Sequence, residues 1–157
     1  MHTFILTLEK GMMKIKRITV FDFNGTDSGE TAETVRRYYR LMDRKAEIAE
    51  FSDYIMFVYD YRDKLKTIRA YDMVFIGVDS MMGMEVARHI RELDNWCPMF
   101  LVSHVADYAM EGYRLHALHY LTKPISVENV KNAVERIGSI NLICLQDPAL
   151  YPRAKEA

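Results

Sequence analysis

The chain has 157 residues, half of them apolar, with 21 basic and 22 acidic side chains and a net charge of −1. That length favours a single domain with a substantial core, and the near-zero charge excludes a protein drawn to nucleic acid or an acidic membrane by its overall field. The two cysteines, Cys97 and Cys144, make no disulfide framework and read as buried thiols in a reducing compartment.

The first residues, MHTFILTLEKGMMK, hold an apolar run from Phe4 to Leu8 that is far too short to cross a membrane. They lack the early basic residues and the small-residue cleavage site of a signal peptide. A soluble, cytoplasmic protein is expected. Met12 or Met13 is a candidate start, and Phe4–Leu8 is alternatively an extra strand.

From there strand and helix patterns alternate. Lys16 to Phe23 is β-rich and runs into an Asn24-Gly25 turn. Ser28 to Arg44 is periodic as a helix, with Ala32, Val35, Tyr39 and Met42 on one face and Asp27 with Glu30 as a capping box. Ala46 to Phe51 is a short strand and Tyr54 to Thr67 a helix rich in aromatics. Met73 to Val78 is continuously apolar, as a central parallel strand covered on both faces requires. Gly83 to Leu93 is a helix with Val86, Ile90 and Leu93 inward, stopped by Asn95-Trp96-Cys97-Pro98. Met99 to Val102 is a buried strand. Ala106, Ala109, Met110 and Tyr113 make the next helical stripe. Leu118 to Thr122 is the fifth strand, cut by Pro124, and Ser126 caps a last helix with Val127, Val130, Val134 and Ile137 on one side. Strand–helix pairs with short connections predict an α/β fold, a doubly wound five-stranded parallel sheet with helices on both faces. The expected boundaries are an N-terminal extension over 1–13, the domain over 14–138 and a C-terminal tail over 139–157. In that tail Ile140 to Leu145 offers a partner contact, or a strand pairing with Phe4 to Leu8.

In such a sheet, ligands gather outside the carboxyl ends of the strands. Those ends carry Asp22-Phe23-Asn24, Gly77-Val78-Asp79, Ser103-His104 and Lys123-Pro124. Acid, hydroxyl and lysine at these positions resemble the layout of response-regulator receiver domains. The likeness is most specific from Met99 to Ile125. There Asp107-Tyr108-Ala109 and His116-Ala117-Leu118-His119-Tyr120-Leu121-Thr122-Lys123-Pro124-Ile125 are similar to receivers of the LytTR class. The resemblance covers about Lys14 to Ile137 and implies a flavodoxin-like three-layer sandwich and a cis bond at Lys123-Pro124. It further implies a dimer or partner face on the fourth helix, fifth strand and fifth helix, including Tyr108, Tyr113, Tyr120 and Val127.

The departures from that pattern bear on function. Phe23 follows Asp22 where the family has a second acid for Mg²⁺, and Gly77 stands where it has the phospho-accepting aspartate. The loop Asp79-Ser80-Met81-Met82-Gly83 is shorter than the family's and lacks its proline. Phosphoryl transfer needs a carboxylate nucleophile, a divalent cation and a positive charge for the phosphoryl oxygens. Glycine supplies no nucleophile, and Asp22 alone would hold Mg²⁺ at most weakly. The expectation is a vestigial phospho-site pocket of Asp22, Gly77, Asp79, Ser103 and Lys123, with Lys123 turned to pairing with Asp22. No catalytic residue, metal site or cofactor is expected.

The function so implied is a degenerate, or pseudo-, receiver. It acts as a phosphorylation-independent interaction module in two-component-type signalling or transcription control, as a homodimer or on a signalling protein. Two alternatives stand beside it. Asp79 is a surrogate acceptor two residues past Gly77, roughly 6–7 Å farther along an extended strand, where Lys123 and any cation should be misplaced for it. Asp22-Phe23-Asn24-Gly25-Thr26 also resembles the D-x-D-G-T motif of haloacid-dehalogenase-like phosphatases, with Asp22 as nucleophile, Ser103 holding phosphate and Lys123 stabilising it. Asparagine in place of the second acid cannot serve as general acid, and no acidic pair in a strand context follows Lys123.

The remaining signals have plain readings. Arg36, Arg40 and Arg44 share a helix face and could meet nucleic-acid phosphates, but Glu30, Glu33, Asp43 and Glu47 lie among them, as on a solvated face. The spacing of His89, His104, His116 and His119 fits no zinc pattern. Met81, Met82 and Met84 are either core filling or an exposed interface patch.

Overall fold

The computed structural model describes residues 15–67 and 69–146, with side chains as far as residue 138. Five strands alternate with five helices: β1 (Lys16–Phe21), α1 (Gly25–Leu41), β2 (Ala46–Phe51), α2 (Tyr54–Lys64), β3 (Met73–Gly77), α3 (Met81–Leu93), β4 (Met99–Ser103), α4 (Ala109–Arg114), β5 (His119–Thr122) and α5 (Val127–Gln146). The strands form one parallel sheet in the order β2-β1-β3-β4-β5. The extension over 1–13, the candidate strand Phe4–Leu8 and the chain beyond 146 lie outside the described residues.

Both faces of the sheet are covered. Ile18, Val20, Phe75, Phe100 and Val102 pack against Ala32, Val35 and Tyr39 of α1 and Val130 and Ala133 of α5. Phe21, Val74, Ile76 and Leu101 pack on the other face against Phe57 and Tyr61 of α2 and Val86, Ala87 and Ile90 of α3. The alternation along each strand explains why β3 and β4 are buried at every position. Each large apolar side chain so buried contributes roughly 1.5–3 kcal/mol. The sheet edge at β2 is only half covered, and its residues are exposed or partly buried.

Several local details differ from expectation. Helix α1 begins at Gly25, three residues before the predicted start, because the cap is Asn24: its side chain accepts from the amides of Thr26 and Asp27. Asp27 is thereby the third residue inside the helix rather than the cap. Met42, expected inward, is the C-cap and 47% exposed.

In α4 the predicted stripe is turned outward, with Met110 71% and Tyr113 68% exposed. The helix approaches the sheet through Gly112, where a Cβ would stand 2.8 Å from Leu101 Cδ1. A bulkier residue could not pack there, so the larger side chains take the other face. Helix α5 continues through the segment expected to be tail, so Ile140 to Leu145 is helical rather than a strand. Cys97 is buried as expected, while the side chain of Cys144 lies outside the described residues. Among the described residues no helix is long and apolar enough to cross a membrane.

Candidate functional site

The carboxyl ends of β1, β3, β4 and β5 converge on the ammonium of Lys123. This residue follows β5 and precedes a cis bond to Pro124, as predicted. Its Nζ lies 2.5 Å from Asp22 Oδ2, 2.9 Å from Asp27 Oδ2 and 2.6 Å from Asp79 Oδ2. The Lys123 and Asp22 side chains are only 3% and 8% exposed, so these charges are held largely away from water. A buried ammonium is tolerable only with such partners. Burial alone would lower the Lys123 pKa, but hydrogen bonds to Asp22, Asp79 and Asp27 outweigh it and raise it above the ordinary lysine value.

Each acid is also tied to the backbone around it. Asp22 Oδ1 accepts from the amide of Asn24 at 2.9 Å, which fixes the turn into α1. Asp79 is more fully engaged. Its Oδ1 accepts from Ser103 Oγ at 2.8 Å and from the His104 amide at 2.6 Å, and Oδ2 lies 3.1 Å from His104 Nδ1. Partial burial would raise the Asp79 carboxyl. Lys123, the His104 amide, Ser103 and the His104 ring together overcome this and hold it well below the usual carboxylate range. Ser103 Oγ in turn accepts from the amide of Val105 at 3.1 Å, and Tyr120 donates to the carbonyl of Val105 at 2.7 Å. One carboxylate thus links the ends of β3, β4 and β5.

Asp79 corrects one expectation. Two residues along a continuing strand would have carried it away from Lys123, but β3 ends at Gly77, the Val78 amide makes the last bond to β4 at Val102, and the chain then bends at Asp79 and Ser80, leaving the carboxylate on the ammonium. Asp27, expected only as part of a cap, also joins the cluster. Side chains in the first turn of a helix lean toward its N-terminus, and with Asn24 as cap that direction leads from Asp27 to Lys123.

Gly77 is completely buried against Asp22. A Cβ on it would stand 2.0 Å from Asp22 Oδ2 and 2.3 Å from Cγ. No side chain fits at position 77 while Asp22 holds this position.

The resemblance implies Mg²⁺ at this end of the sheet. Asp27, Asp79 and His104 can each bring one ligand atom within 4.8 Å of the others. Mg²⁺ demands a near-octahedral shell of oxygen ligands at roughly 2.0–2.1 Å. One of these donors is an imidazole nitrogen, and both acids already hold an ammonium. The residues do not fit it.

The four residues expected on a partner face are not equally available. Tyr113 is exposed, whereas Tyr108, Tyr120 and Val127 pack partly against the two halves of the core. Of the loop methionines, Met81 and Met82 are 71% and 65% exposed and Met84 is buried.

Solved structures share this architecture. A response-regulator receiver domain from Methanospirillum hungatei JF-1 superposes with a TM-score of 0.58 at 14% identity, over 80% of this chain and 99% of that one. A signal receiver domain from Vibrio parahaemolyticus gives 0.62 at 17% identity, over 85% and 98%. A receiver domain from Clostridium thermocellum gives 0.61 at 18% identity, over 82% and 98%. No family model and no curated protein matches the sequence. The chain therefore has the flavodoxin-like fold of receiver domains, at identities that establish the fold alone.

Proposed function

We propose that this chain is a degenerate receiver of two-component type, acting in the cytoplasm as a phosphorylation-independent protein–protein interaction module. The observation that carries this reading is the meeting of Gly77 and Asp22. The strand end where the resemblance places the acceptor has no side chain and no room for one. Among the described residues the cation that phosphoryl transfer would need has no suitable site, and the lysine that would meet a phosphoryl group is occupied by three carboxylates. In this reading Asp79 serves as a resident anion. It supplies Lys123 and Ser103 with a permanent negative partner and keeps the sheet end in one arrangement. The module has no catalytic activity of its own. Its partner is a signalling or transcription protein or a second copy of the chain.

A second reading has a specific observation behind it. Asp79 lies 2.6 Å from Lys123 and 2.8 Å from Ser103, so it has the company an acceptor would have. Against it, both of its oxygens are already hydrogen-bonded, and a carboxylate so stabilised is a poor nucleophile.

Intact-protein mass after incubation with acetyl phosphate and Mg²⁺, with sizing of the same sample, separates the two. The pseudo-receiver reading expects no added mass and an unchanged oligomeric state. A stable phosphoryl adduct that disappears in Asp79→Ala would establish a working, atypical switch instead.

A further inference from the structure

The amino-terminal end of the sheet, opposite the lysine–carboxylate cluster, holds a cleft of about 400 Å³ lined by Ile15, Arg36, Tyr39, Arg40, Arg44, Lys45, Ala46, Glu47 and Ile48. It lies where Ile15 enters β1 and Lys45 enters β2, beside the last turns of α1. Four of its lining side chains are cationic and one is acidic.

Two of the cations have local partners. Arg36 reaches Glu33 at 3.6 Å and Glu50 at 3.7 Å, and Arg40 reaches Glu33 at 2.8 Å. Arg44 and Lys45 have no ion pair among the described residues. Their backbone is nonetheless fixed. Asp43 adopts a left-handed φ of 52°, the Arg44 amide donates to the carbonyl of Tyr39 at 2.9 Å, and the Lys45 carbonyl accepts from the Lys16 amide at 3.2 Å.

Attraction to the carbonyl end of α1 explains a cation at Arg40 or Arg44 singly. It explains neither Lys45, which lies past the turn, nor the apolar part of the cleft formed by Ile15, Tyr39, Ala46 and Ile48. Tyr39 is only 3% exposed and floors the cleft from the core side, with its hydroxyl buried out of reach of an occupant.

We propose that this cleft binds a small phosphorylated ligand of nucleoside-monophosphate class, its phosphate on Arg44 and Lys45 and its organic body against Ile15 and Ile48. The volume falls within the range of roughly 300–1,000 Å³ typical of small-molecule sites, and inorganic phosphate would fill only part of it. Guanidinium forks match phosphate oxygens and stack on planar rings. A nucleic-acid strand is a poorer occupant, because Glu33, Asp43, Glu47 and Glu50 border the cationic residues and would repel successive phosphates. The proposal does not depend on the pseudo-receiver reading, since it shares no residue with the lysine cluster.

The test is calorimetric titration of the full chain with the four common nucleoside monophosphates, their uncharged nucleosides and inorganic phosphate. Amide chemical-shift mapping on the unmodified protein accompanies it. We expect saturable one-to-one binding of at least one monophosphate, weaker binding of its nucleoside and of phosphate, and shifts confined to Tyr39, Arg44–Ile48 and neighbours. Arg44→Glu with Lys45→Glu should weaken binding about tenfold or more, while Met81→Ser with Met82→Ser, at the opposite end of the sheet, should leave it unchanged. If the charge-reversed protein fails to fold, the shift map on the unmodified chain decides. Absence of saturable binding by every monophosphate, shifts elsewhere, binding indifferent to the charge reversal, or tighter binding of a single-stranded oligonucleotide through the same residues would overturn the proposal.

Discussion

Asp79 and Lys123 meet at 2.6 Å across the end of the sheet, 44 residues apart in sequence. The contact joins the loop after β3 to the residue after β5, and through Ser103 it includes β4. The lysine is nearly buried while the aspartate side chain is about a third exposed, so the two halves of the pair differ in how much depends on them.

Removing the cation should be the more damaging change. Lys123→Met keeps the length of the side chain but leaves Asp22 a buried carboxylate without its counter-charge. The expected loss is about 3–5 kcal/mol. Asp79→Asn keeps the shape of the side chain and one acceptor for Ser103 and the His104 amide but turns an NH₂ toward Lys123; at this more exposed position it should cost about 1 kcal/mol after solvent screening. Urea unfolding of the two variants, with the double variant completing the cycle, measures both numbers and their coupling.

The same cluster sets a pH dependence with a definite sign. Asp79 is depressed below its ordinary value of 3.8, so its contribution is complete above that pH and fades as pH falls through the lower folded value. Lys123 is raised above 10.5, so its contribution is complete below that pH and fades as pH rises through the higher folded value. The stability difference between the native chain and Asp79→Asn should therefore be flat from about pH 5 to 9 and shrink below about pH 4. A difference that grew on acidification would contradict the assigned direction.

Placing an acid at position 77 should cost stability and confer no phosphoryl uptake. In Gly77→Asp the new Cβ falls on the Asp22 carboxylate, and the strand must shift or Asp22 must leave Lys123. A loss of more than about 2 kcal/mol is expected from overpacking and like-charge contact combined, with no phosphoryl uptake. Gly77→Ala isolates the steric part, and adding Asp22→Ala should recover some of it. Thermal unfolding of the three proteins reads this directly.

The methionines near the shortened loop should divide sharply. Met84 is buried in the core, and Met84→Ala should cost about 2–5 kcal/mol. Met81 and Met82 are largely exposed, and changing both to serine should alter stability by no more than about 0.5 kcal/mol. A change in oligomeric state of that pair, read by sizing, would mark the loop as a contact surface.

Much of this was legible in the residues. The continuous apolar run at Met73, the periodicity of Val86 and Ile90, the breaks at Pro98 and Pro124, and the pairing of Lys123 with Asp22 all follow from local pattern and from which strand ends meet. The missed features depend on a few degrees of backbone direction. Asp27 reaches Lys123 only because Asn24, not Asp27, caps α1, and both are good cap residues. Asp79 reaches Lys123 only because the chain bends at Asp79 and Ser80, just past the last pairing with β4. The exposure of Met110 and Tyr113 followed from Gly112, whose close approach to Leu101 sets the rotation of α4 against its apolar periodicity.

The fit of Asp22 against Gly77 also bears on how this sequence can change. An aspartate at position 77 is one residue substitution away. The packing places an obstacle on that path, because the first step loses stability before any later change could make the acid useful. A substitution relaxing Asp22 would have to come first, and by itself it would strip Lys123 of its best-buried partner. Either order passes through a weakened intermediate, so the glycine acts as a ratchet that holds this end of the sheet in its present form.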